Sequence, residues 1–450
     1  MKSLLPFLTV LVLLLPSDRL YGHGVWAHVY VTASAADVLP EGELKATLTS
    51  DGEVLDALHY GSAFVDSGYS ITGDDAVAAR AFSEHSHWEP FVQAYVDWMK
   101  TNDPPPWTEL ESKKRVAFLM GMAAHGLQDE IFDSLFLYQV EHFDGLGQDE
   151  VDPATDGFLF LDGLSPKVPA SWFPGELLVE LYSELGHGIS SDLLQRSSDV
   201  LCSIYLNDDM GPKVLQVLGE TQEPRLPWMR EHYLDLAIPG SIASEIEATA
   251  RYMESIWSRL HGVAIADTSI ITSFPKDQGQ ILGFDSGSVD SWVTMIYGSG
   301  VKKDSVEYQI QDESGQNLSF ETRGTQWGSV WTRLHRLVMQ TDLQPGFQYS
   351  ASLLPGHQLI DGSVSSKTQT VVFEVGIGSV QTDCSEDSFA DTVSEISDVQ
   401  SAPDDSVSSP GCSSTSGGDP ASLLLVLFLL LIMRRVSRLG YLQSVSSMCE

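Results

Sequence analysis

Residues Val116–Asp133, VAFLMGMAAHGLQDEIFD, form the stretch around which the rest of the chain is organised. The stretch contains no proline and has apolar residues in nearly every turn, which predicts a largely buried helix. Its His125, Asp129 and Asp133 are spaced four residues apart, so a regular helix turns all three toward one face. Buried carboxylates are costly unless they are paired or bind a metal. The stretch alone therefore leaves two interpretations open: solvated acids with a hydrogen-bonded core histidine, or a metal-binding face.

Composition narrows the classes of protein to consider. The chain has 450 residues, which predicts two or three domains. Its 25 lysines and arginines stand against 62 acidic residues, a net charge of −37. This balance disfavours nucleic acid held in a basic groove and fits a secreted protein or one that binds divalent cations. Four scattered cysteines, the first of them Cys202, predict neither a disulfide framework nor thiolate ligands for a metal in the first part of the chain.

The N-terminal end predicts export. Residues 1–22 have a lysine followed by the apolar run Leu4–Leu15, the pattern of a secretory signal peptide. Cleavage after Gly24 satisfies the preference for small residues, whereas cleavage after Gly22 leaves His23 as the mature N-terminus.

The C-terminal end predicts delivery to a surface. Residues 379–418 are rich in Ser, Asp and Gly and are predicted to be a disordered linker. Residues 411–438 contain Cys412, a Gly-rich patch, the apolar run Ala421–Met433 and three arginines. This arrangement resembles the C-terminal sorting tags of myxobacteria, which implies a sorting protease and anchoring at the cell surface or outer membrane. The alternative is a weak transmembrane tail anchor, for which the apolar run is short compared with the roughly 20 residues of a stable span.

Between these ends the sequence predicts two kinds of structure. Residues 23–262 are predicted to be an all-α domain in which Gly145–Asp156 is irregular. Residues 268–378 are predicted to be an immunoglobulin-like β-sandwich without a catalytic constellation. The predicted strands are Gln280–Phe284, Trp292–Tyr297, Glu307–Ile310, Tyr349–Leu353 and Thr368–Val375.

Histidines and acids recur along the helical part in short motifs. The motifs are His-Val, Gly-Ser-Ala-Phe-Val-Asp-Ser, Ser-His-Trp-Glu-Pro-Phe and Ala-Phe-Leu-x-Gly-x-x-x-His-x-x-x-Asp. Together they resemble the zinc-dependent phospholipase C family, in particular the catalytic domains of glycosylphosphatidylinositol-specific phospholipases D. The resemblance covers residues 23–164 well, extends weakly to residue 260 and does not reach the β region. Imidazole and carboxylate ligands also suit zinc and related divalent ions independently of the resemblance.

The resemblance implies a helical bundle that holds two or three divalent metals and assigns ligands to them. Asp66, His87, His125 and Asp129 would hold the first metal, and Asp66 would also act as the catalytic base toward water. Asp129 would bridge to a second metal held by His28 and by the amine and carbonyl of His23 as the N-terminal residue. His85 is a rival for the place of His87.

The remaining metal site departs from the family. The family has histidines at the positions of Asp133 and Asp152, and an acid at the position of Asp156. Three carboxylates suit a harder ion such as calcium, magnesium or manganese, although the site could also hold nothing. An alternative for Asp152 and Pro153 is the N-cap and first residue of a helix.

The sequence thus predicts a secreted metal-dependent phosphodiester hydrolase, an enzyme of the phospholipase C type, that acts on phospholipid or phosphoinositide-type esters through metal-activated water. Two alternatives stay open: a single-strand nuclease of the same superfamily, and a surface adhesin whose metal site is degenerate. The sequence indicates no oligomeric state.

Overall fold

A computed structural model describes residues 23–206, 211–283, 292–324, 330–340 and 343–379. The predicted signal peptide and sorting tag lie outside the described residues, as does the predicted linker apart from its first residue. Among the helices that the structure describes, none is long and apolar enough to cross a membrane.

The first part of the described chain is helical and the last part consists of strands, as predicted. The α-helices are α1 (Val25–Val38), α2 (Glu43–Leu48), α3 (Gly52–Phe64), α4 (Ala76–Ser86), α5 (Glu89–Asn102), α6 (Leu110–Ile131), α7 (Leu137–Phe143), α8 (Gln148–Leu161), α9 (Gly175–Glu184), α10 (Ser191–Ile204), α11 (Gly211–Gln222), α12 (Pro227–His232) and α13 (Ile242–Leu260). Short 3-10 segments lie at Val65–Ser70, Gly73–Asp75, Ala266–Thr268 and Lys303–Ser305.

Helix α6 is the buried centre of the helical part. Every residue from Val116 to Ile131 is buried, because apolar residues occur all round this half of the helix. The α-helical pattern stops at Ile131 and continues as a π-helical turn, Phe132–Phe136, that contains Asp133. The regular four-residue stagger predicted for this stretch therefore applies to His125 and Asp129, whereas Asp133 lies in a wider turn.

The prediction that Gly145–Asp156 is irregular is wrong, because α8 begins at Gln148. Acids in its first turn favour the helix N-terminus, and its apolar side chains, Phe158 among them, pack into a buried cluster. Pro153 lies inside the helix, where it cannot donate the usual backbone hydrogen bond to the residue four positions earlier. The alternative in which Asp152 and Pro153 begin a helix is also wrong, and the two acids Asp152 and Asp156 stand one turn apart.

Helices α3 and α6 cross with their backbones almost in contact. A Cβ atom at Gly121 of α6 would lie 2.1 Å from the carbonyl oxygen of Leu58 and 2.8 Å from the amide nitrogen of Ser62. Only glycine fits this crossing, which brings the C-terminal turns of α3 beside His125 one turn further along α6.

The described residues contain eight strands, which form two four-stranded sheets. They are β1 (Ile270–Phe274), β2 (Gly279–Gly283), β3 (Trp292–Lys302), β4 (Tyr308–Asp312), β5 (Phe320–Gly324), β6 (Trp331–Met339), β7 (Gln348–Leu353) and β8 (Gln369–Ser379). The first sheet has the antiparallel order β1-β3-β6-β5. The second has the order β2-β8-β7-β4, in which only β2 and β8 run parallel. The predicted strands correspond to β2, β3, β4, β7 and β8, while β1, β5 and β6 were not predicted.

The first sheet lies between the helices and the second sheet. Ile296 and Leu334 belong to the same buried cluster as α6 and α13, whereas Val293 and Leu337 pack with residues of the second sheet, such as Phe373. Burial on both faces explains why β3 is buried along almost its whole length. The predicted domain limits, 23–262 and 268–378, stay predictions.

Candidate metal centre

Five of the predicted ligands converge at the centre of the helical part. His28 comes from α1, Asp66 from the 3-10 turn after α3, His87 from the end of α4, and His125 and Asp129 from α6. All five are buried, with exposed fractions of 6% or less. Two groups, His28 with Asp66 and His125, and His87 with His125 and Asp129, have ligand atoms within 4.8 Å of one another and could hold a metal ion.

Each histidine of this cluster is fixed by an acceptor behind it. The Nδ1 atom of His125 lies 2.5 Å from the carbonyl oxygen of Ser62, and that of His87 lies 2.6 Å from the carbonyl oxygen of Ser83. A carbonyl oxygen can only accept, so both Nδ1 atoms carry the proton.

His28 is held in the same way by a side chain. Its Nδ1 lies 2.8 Å from Oε1 of Gln128, whose amide nitrogen donates to Thr32 and so turns the oxygen toward the ring. The Nε2 lone pair of each of the three imidazoles is therefore directed to the centre, the arrangement in which outer hydrogen bonds orient metal-binding histidines.

When the imidazoles are neutral, the atoms that face one another at the centre are all acceptors. The Nε2 atoms of His87 and His125 lie 3.1 Å apart, and Oδ2 of Asp129 lies 3.1 Å and 3.2 Å from them. Oδ1 of Asp66 lies 3.4 Å and 3.5 Å from the same two nitrogens, and Nε2 of His28 lies 3.1 Å from Oδ1 of Asp129. Lone pairs at these distances repel one another unless protons or a cation lie between them.

The pKa shifts also indicate that protons or a cation must lie between these groups. Burial by itself lowers the pKa of His125, but the carboxylates of Asp129 and Asp66 outweigh it and raise the pKa to about 9. Burial also lowers the pKa of His87, but the same two carboxylates outweigh this effect and hold the pKa well above its ordinary value. Burial would raise the pKa of Asp66, yet the neighbouring His125 and His87 lower it to about 2. The centre thus concentrates positive charge, as protons or as a metal, between buried carboxylates.

His23 reaches the same centre from the start of the described chain. Its backbone nitrogen donates to Oδ1 of Asp129 at 3.3 Å, and its ring Nε2 lies 2.8 Å from Oε2 of Glu245 on α13. Glu245 is not among the site residues that the sequence predicted. A signal existed, because Glu245 lies on the buried apolar face of α13 with Ile242 and Ala248, where an acid needs a partner.

The three other predicted acids occupy different surroundings, and neither ligand group includes them. Asp156 accepts a 2.8 Å hydrogen bond from the backbone N–H of Ala27 in the first turn of α1, and burial raises its pKa to about 7. Asp133 is half-buried and accepts hydrogen bonds from Gln148. Asp152 is buried, and neither of its carboxylate oxygens has a hydrogen-bond partner among the described residues. Burial and the nearby charges of Asp133 and Asp129 raise its pKa well above the ordinary value.

A pocket opens onto the cluster on the side of His87, Asp129 and Asp133. Tyr69 and Trp88 line it, and the Tyr69 hydroxyl and Trp88 Nε1 both donate to the carboxylate of Glu84 at 3.0 Å. The rival residue His85 is directed elsewhere, since its ring stacks on His187 with centroids 3.5 Å apart.

Comparisons with known proteins point to one kind of relative. No family model matches the chain. The chain is 30% identical over 198 residues to the phosphatidylinositol-glycan-specific phospholipase D of Bos taurus, a match that covers 41% of this chain and 23% of that protein. It is 27% identical over 134 residues to the protein of the same name in Dictyostelium discoideum, covering 30% of this chain and 14% of that protein.

Solved structures add little to these matches. The copper-resistance protein CopC of Methylosinus trichosporium OB3b is 16% identical, covers 24% of this chain and 92% of its own, and has a TM-score of 0.18. A TM-score of this size supports no argument about the fold. The chain spans less than a quarter of the length of the phospholipases D named above, and the similarity to them supports a distant phospholipase-like, phosphodiester hydrolase relationship.

Proposed function

We propose that the protein is a secreted, metal-dependent phosphodiester hydrolase of the phospholipase C type that acts on phospholipid or phosphoinositide-type esters. The observation that carries the proposal is the centre in which the Nε2 atoms of His87 and His125 and the carboxylates of Asp66 and Asp129 face one another as acceptors. The distant phospholipase D relatives support the reaction class.

The residues present fit divalent metals. The donor set suits zinc: three imidazoles have their Nδ1 atoms engaged, and Oδ1 of Asp66 and Oδ2 of Asp129 accept no hydrogen bond from any described residue. When bound, such metals would neutralise the charge of the phosphate and make coordinated water more acidic. Asp66 is then the proposed base, because its pKa of about 2 keeps it ionised at neutral pH, and an ionised carboxylate can orient a water molecule by accepting its hydrogen bond.

A harder cation beside this centre is the second part of the proposal. The carboxylate of Asp152 is buried without a hydrogen-bond partner in the part of the chain that the structure describes, and the charges of Asp133 and Asp129 raise its pKa. Oxygen-only ligands suit calcium, magnesium or manganese better than zinc. Asp156 contributes less to this proposed site than the sequence predicted, because its Oδ1 already accepts the N–H of Ala27.

The substrate class follows from charge and from the relatives. The net charge of −37 repels the extended phosphate backbone of a nucleic acid, whereas a lipid headgroup presents a single phosphate. The relatives are named for phosphatidylinositol-glycan, a phosphoinositide-type lipid. A phospholipid at a membrane surface is therefore the proposed partner, and the nuclease and adhesin remain as the alternatives that experiment must exclude.

The proposal includes a location and an architecture. Cleavage of residues 1–22 would release a mature chain that begins at His23, and cutting of the tag 411–438 by a sorting protease would leave the protein at the cell surface. The β region 268–378 is proposed to be an immunoglobulin-like sandwich on the basis of two sheets that share a buried core.

The test uses the full secreted chain with phosphatidylinositol vesicles and single-stranded DNA as alternative substrates. We expect cleavage of the lipid that a chelator abolishes and zinc restores, and its products, diacylglycerol or phosphatidic acid, identify which side of the phosphate is cut. His125→Ala should abolish this activity, while His142→Ala, a change at an exposed histidine, serves as the matched control and should retain it. Cleavage of DNA alone would support the nuclease, and absence of bound metal together with inactivity on both substrates would support the adhesin.

A further inference from the structure

Strand β6 carries a buried arginine to the backbone of the metal centre. Arg333 is 1% exposed and lies in the β region, more than 200 residues after the site helix. Its Nη2 donates to the carbonyl oxygen of His87 at 2.9 Å and to that of Gly126 at 2.7 Å. The two acceptors belong to His87 itself and to the residue that follows His125, so one guanidinium joins the two segments that carry these histidines.

Glu130 fixes the guanidinium in this orientation. Nε of Arg333 donates to Oε2 of Glu130 at 2.7 Å, while Oε1 accepts the backbone N–H of Arg333 at 3.0 Å and the hydroxyl of Thr332 at 2.7 Å. Glu130 directly follows Asp129, the carboxylate that faces all three imidazoles. The planar fork of arginine suits such a set of three fixed acceptors, which a lysine cannot reach together.

The pairing of β3 with β6 is irregular at the position of Arg333. Ile296 of β3 pairs with Leu334 and Val301 pairs with Thr332, so β3 contains extra residues opposite Arg333. Irregularities of this kind redirect side chains next to functional sites.

The helix surface that receives the arginine accepts only glycine. A Cβ atom at Gly126 would lie 2.0 Å from the carbonyl oxygen of His87 and 3.1 Å from Nη2 of Arg333. Helix α6 therefore touches the backbone of His87 at the point where the guanidinium bridges the two.

A second arginine of the same strand holds the other end of this segment. Nη1 of Arg336 donates to the carbonyl oxygen of Ser134 at 2.8 Å, and its guanidinium lies over the rings of Tyr138 and Trp292. Ser134 follows Asp133 in the π-helical turn. The stretch from Gly126 to Ser134, which includes Asp129 and Asp133, is thus attached to β6 at both ends.

We propose that Arg333 is a positioning residue of the metal centre, and that the β region is part of the scaffold of the site rather than a separate spacer or binding module. The inference rests on the proposed function in so far as the cluster must bind a metal. It predicts that the distance between His87 and His125 depends on a residue of strand β6 that touches neither imidazole.

The test measures metal binding in the full secreted chain, with Co²⁺ in place of zinc so that the visible absorption of the bound ion reports its ligand geometry. We expect Arg333→Met to raise the Kd for Co²⁺ by about 10- to 100-fold, the usual effect of losing an outer partner of a metal ligand, and to change the absorption spectrum. Arg333→Lys keeps a positive charge beside Glu130 and is the variant to use if Arg333→Met does not fold. It should raise the Kd as well, because the ammonium cannot serve all three acceptors.

A second buried ion pair at the same helix–sheet interface provides a matched control. Nη1 of Arg259 lies 2.6 Å from Oε1 of Glu89, and Arg259 is 4% exposed, but it donates to Gln93 and Gly298 rather than to the backbone of a metal-centre histidine. Arg259→Met should lower the melting temperature of the metal-free protein, as Arg333→Met does, and leave the Kd and the Co²⁺ spectrum unchanged.

The outcomes separate the two proposals. A parent protein that binds no Co²⁺ or zinc refutes the proposed function and, with it, the inference. A parent that binds metal while Arg333→Met and Arg333→Lys keep its Kd and spectrum refutes the inference alone. Equal changes in the Arg333 and Arg259 variants would also overturn it, because they would show a general loss of stability.

Discussion

We expect the substitution Gly121→Ala to weaken metal binding by moving α6 away from α3. The added Cβ would lie 2.1 Å from the carbonyl oxygen of Leu58, whereas ordinary contact begins at 3.4 Å, so the backbones must separate by about 1.3 Å. The carbonyl of Ser62 on α3 accepts the Nδ1 proton of His125 at 2.5 Å, and the same movement would break this hydrogen bond or turn the ring. A displacement of about 1 Å at a functional group can lower the reaction rate by on the order of 100-fold.

The stability cost should be much smaller than the functional cost. Overpacking costs about 1–3 kcal/mol, and the higher helix propensity of alanine offsets about 1 kcal/mol of it. Thermal unfolding of the metal-free protein should therefore change by a few degrees, while competition with a chromophoric chelator should show a Kd for zinc raised by about 10- to 100-fold. Gly52→Ala is the control, because Gly52 begins the same helix α3 and no atom lies within 4 Å of its added Cβ. If Gly121→Ala binds zinc with the Kd of the parent, the spacing of these helices does not position His125.

Three further predictions concern the ends and the charges of the site. Intact mass of the secreted protein should show a chain that starts at His23, because its backbone nitrogen lies 3.3 Å from Asp129, and a start at Val25 would contradict this. Asp152→Asn should raise the melting temperature of the metal-free protein at pH 8, because folding of the parent must then either bury the charge of Asp152 or take up a proton. The same substitution should reduce the stabilisation by calcium, magnesium or manganese, and unchanged values for both would mean that no cation is bound at Asp152. Burial lowers the pKa of His335 from 6.5 to about 4, so the folded protein binds fewer protons than the unfolded chain and loses stability as the pH falls through this window, by up to about 3 kcal/mol. Urea unfolding of His335→Gln should have a flatter pH dependence from 6.5 to 4, and a profile identical to that of the parent would contradict the assignment.

Local spacing accounts for much of what the sequence determined about this protein. A four-residue interval places His125 and Asp129 on one face of a helix wherever that helix lies, so the sequence alone predicted the core of the centre. The family resemblance that the short motifs carry implied His28, Asp66 and His87 as its other members, and the structure brings all five together. The change from helical periodicity to short strands also marked the start of the β region.

Local spacing failed where the backbone changed its geometry. The π-helical turn after Ile131 shifted Asp133 from the predicted stagger, and α8 replaced a segment whose acids and proline had predicted irregular structure. In α8 the burial of apolar neighbours outweighed the local preference of the residues. Strand β6 was not predicted because its arginines and histidine interrupt the alternation of apolar and polar residues, although the fold buries Arg333 and His335.

The outer partners of the centre were decided by the tertiary structure alone. The acceptors behind His125 and His87 are backbone carbonyls of Ser62 and Ser83, and since every residue has a carbonyl, no residue type signals them. Arg333 becomes a partner of His87 only because the first sheet packs against the helices and irregular pairing directs the guanidinium toward α6. A sequence specifies which groups can bind a metal, whereas the orientation of those groups depends on contacts between residues far apart in the chain, which form only when the helices and the sheet pack together.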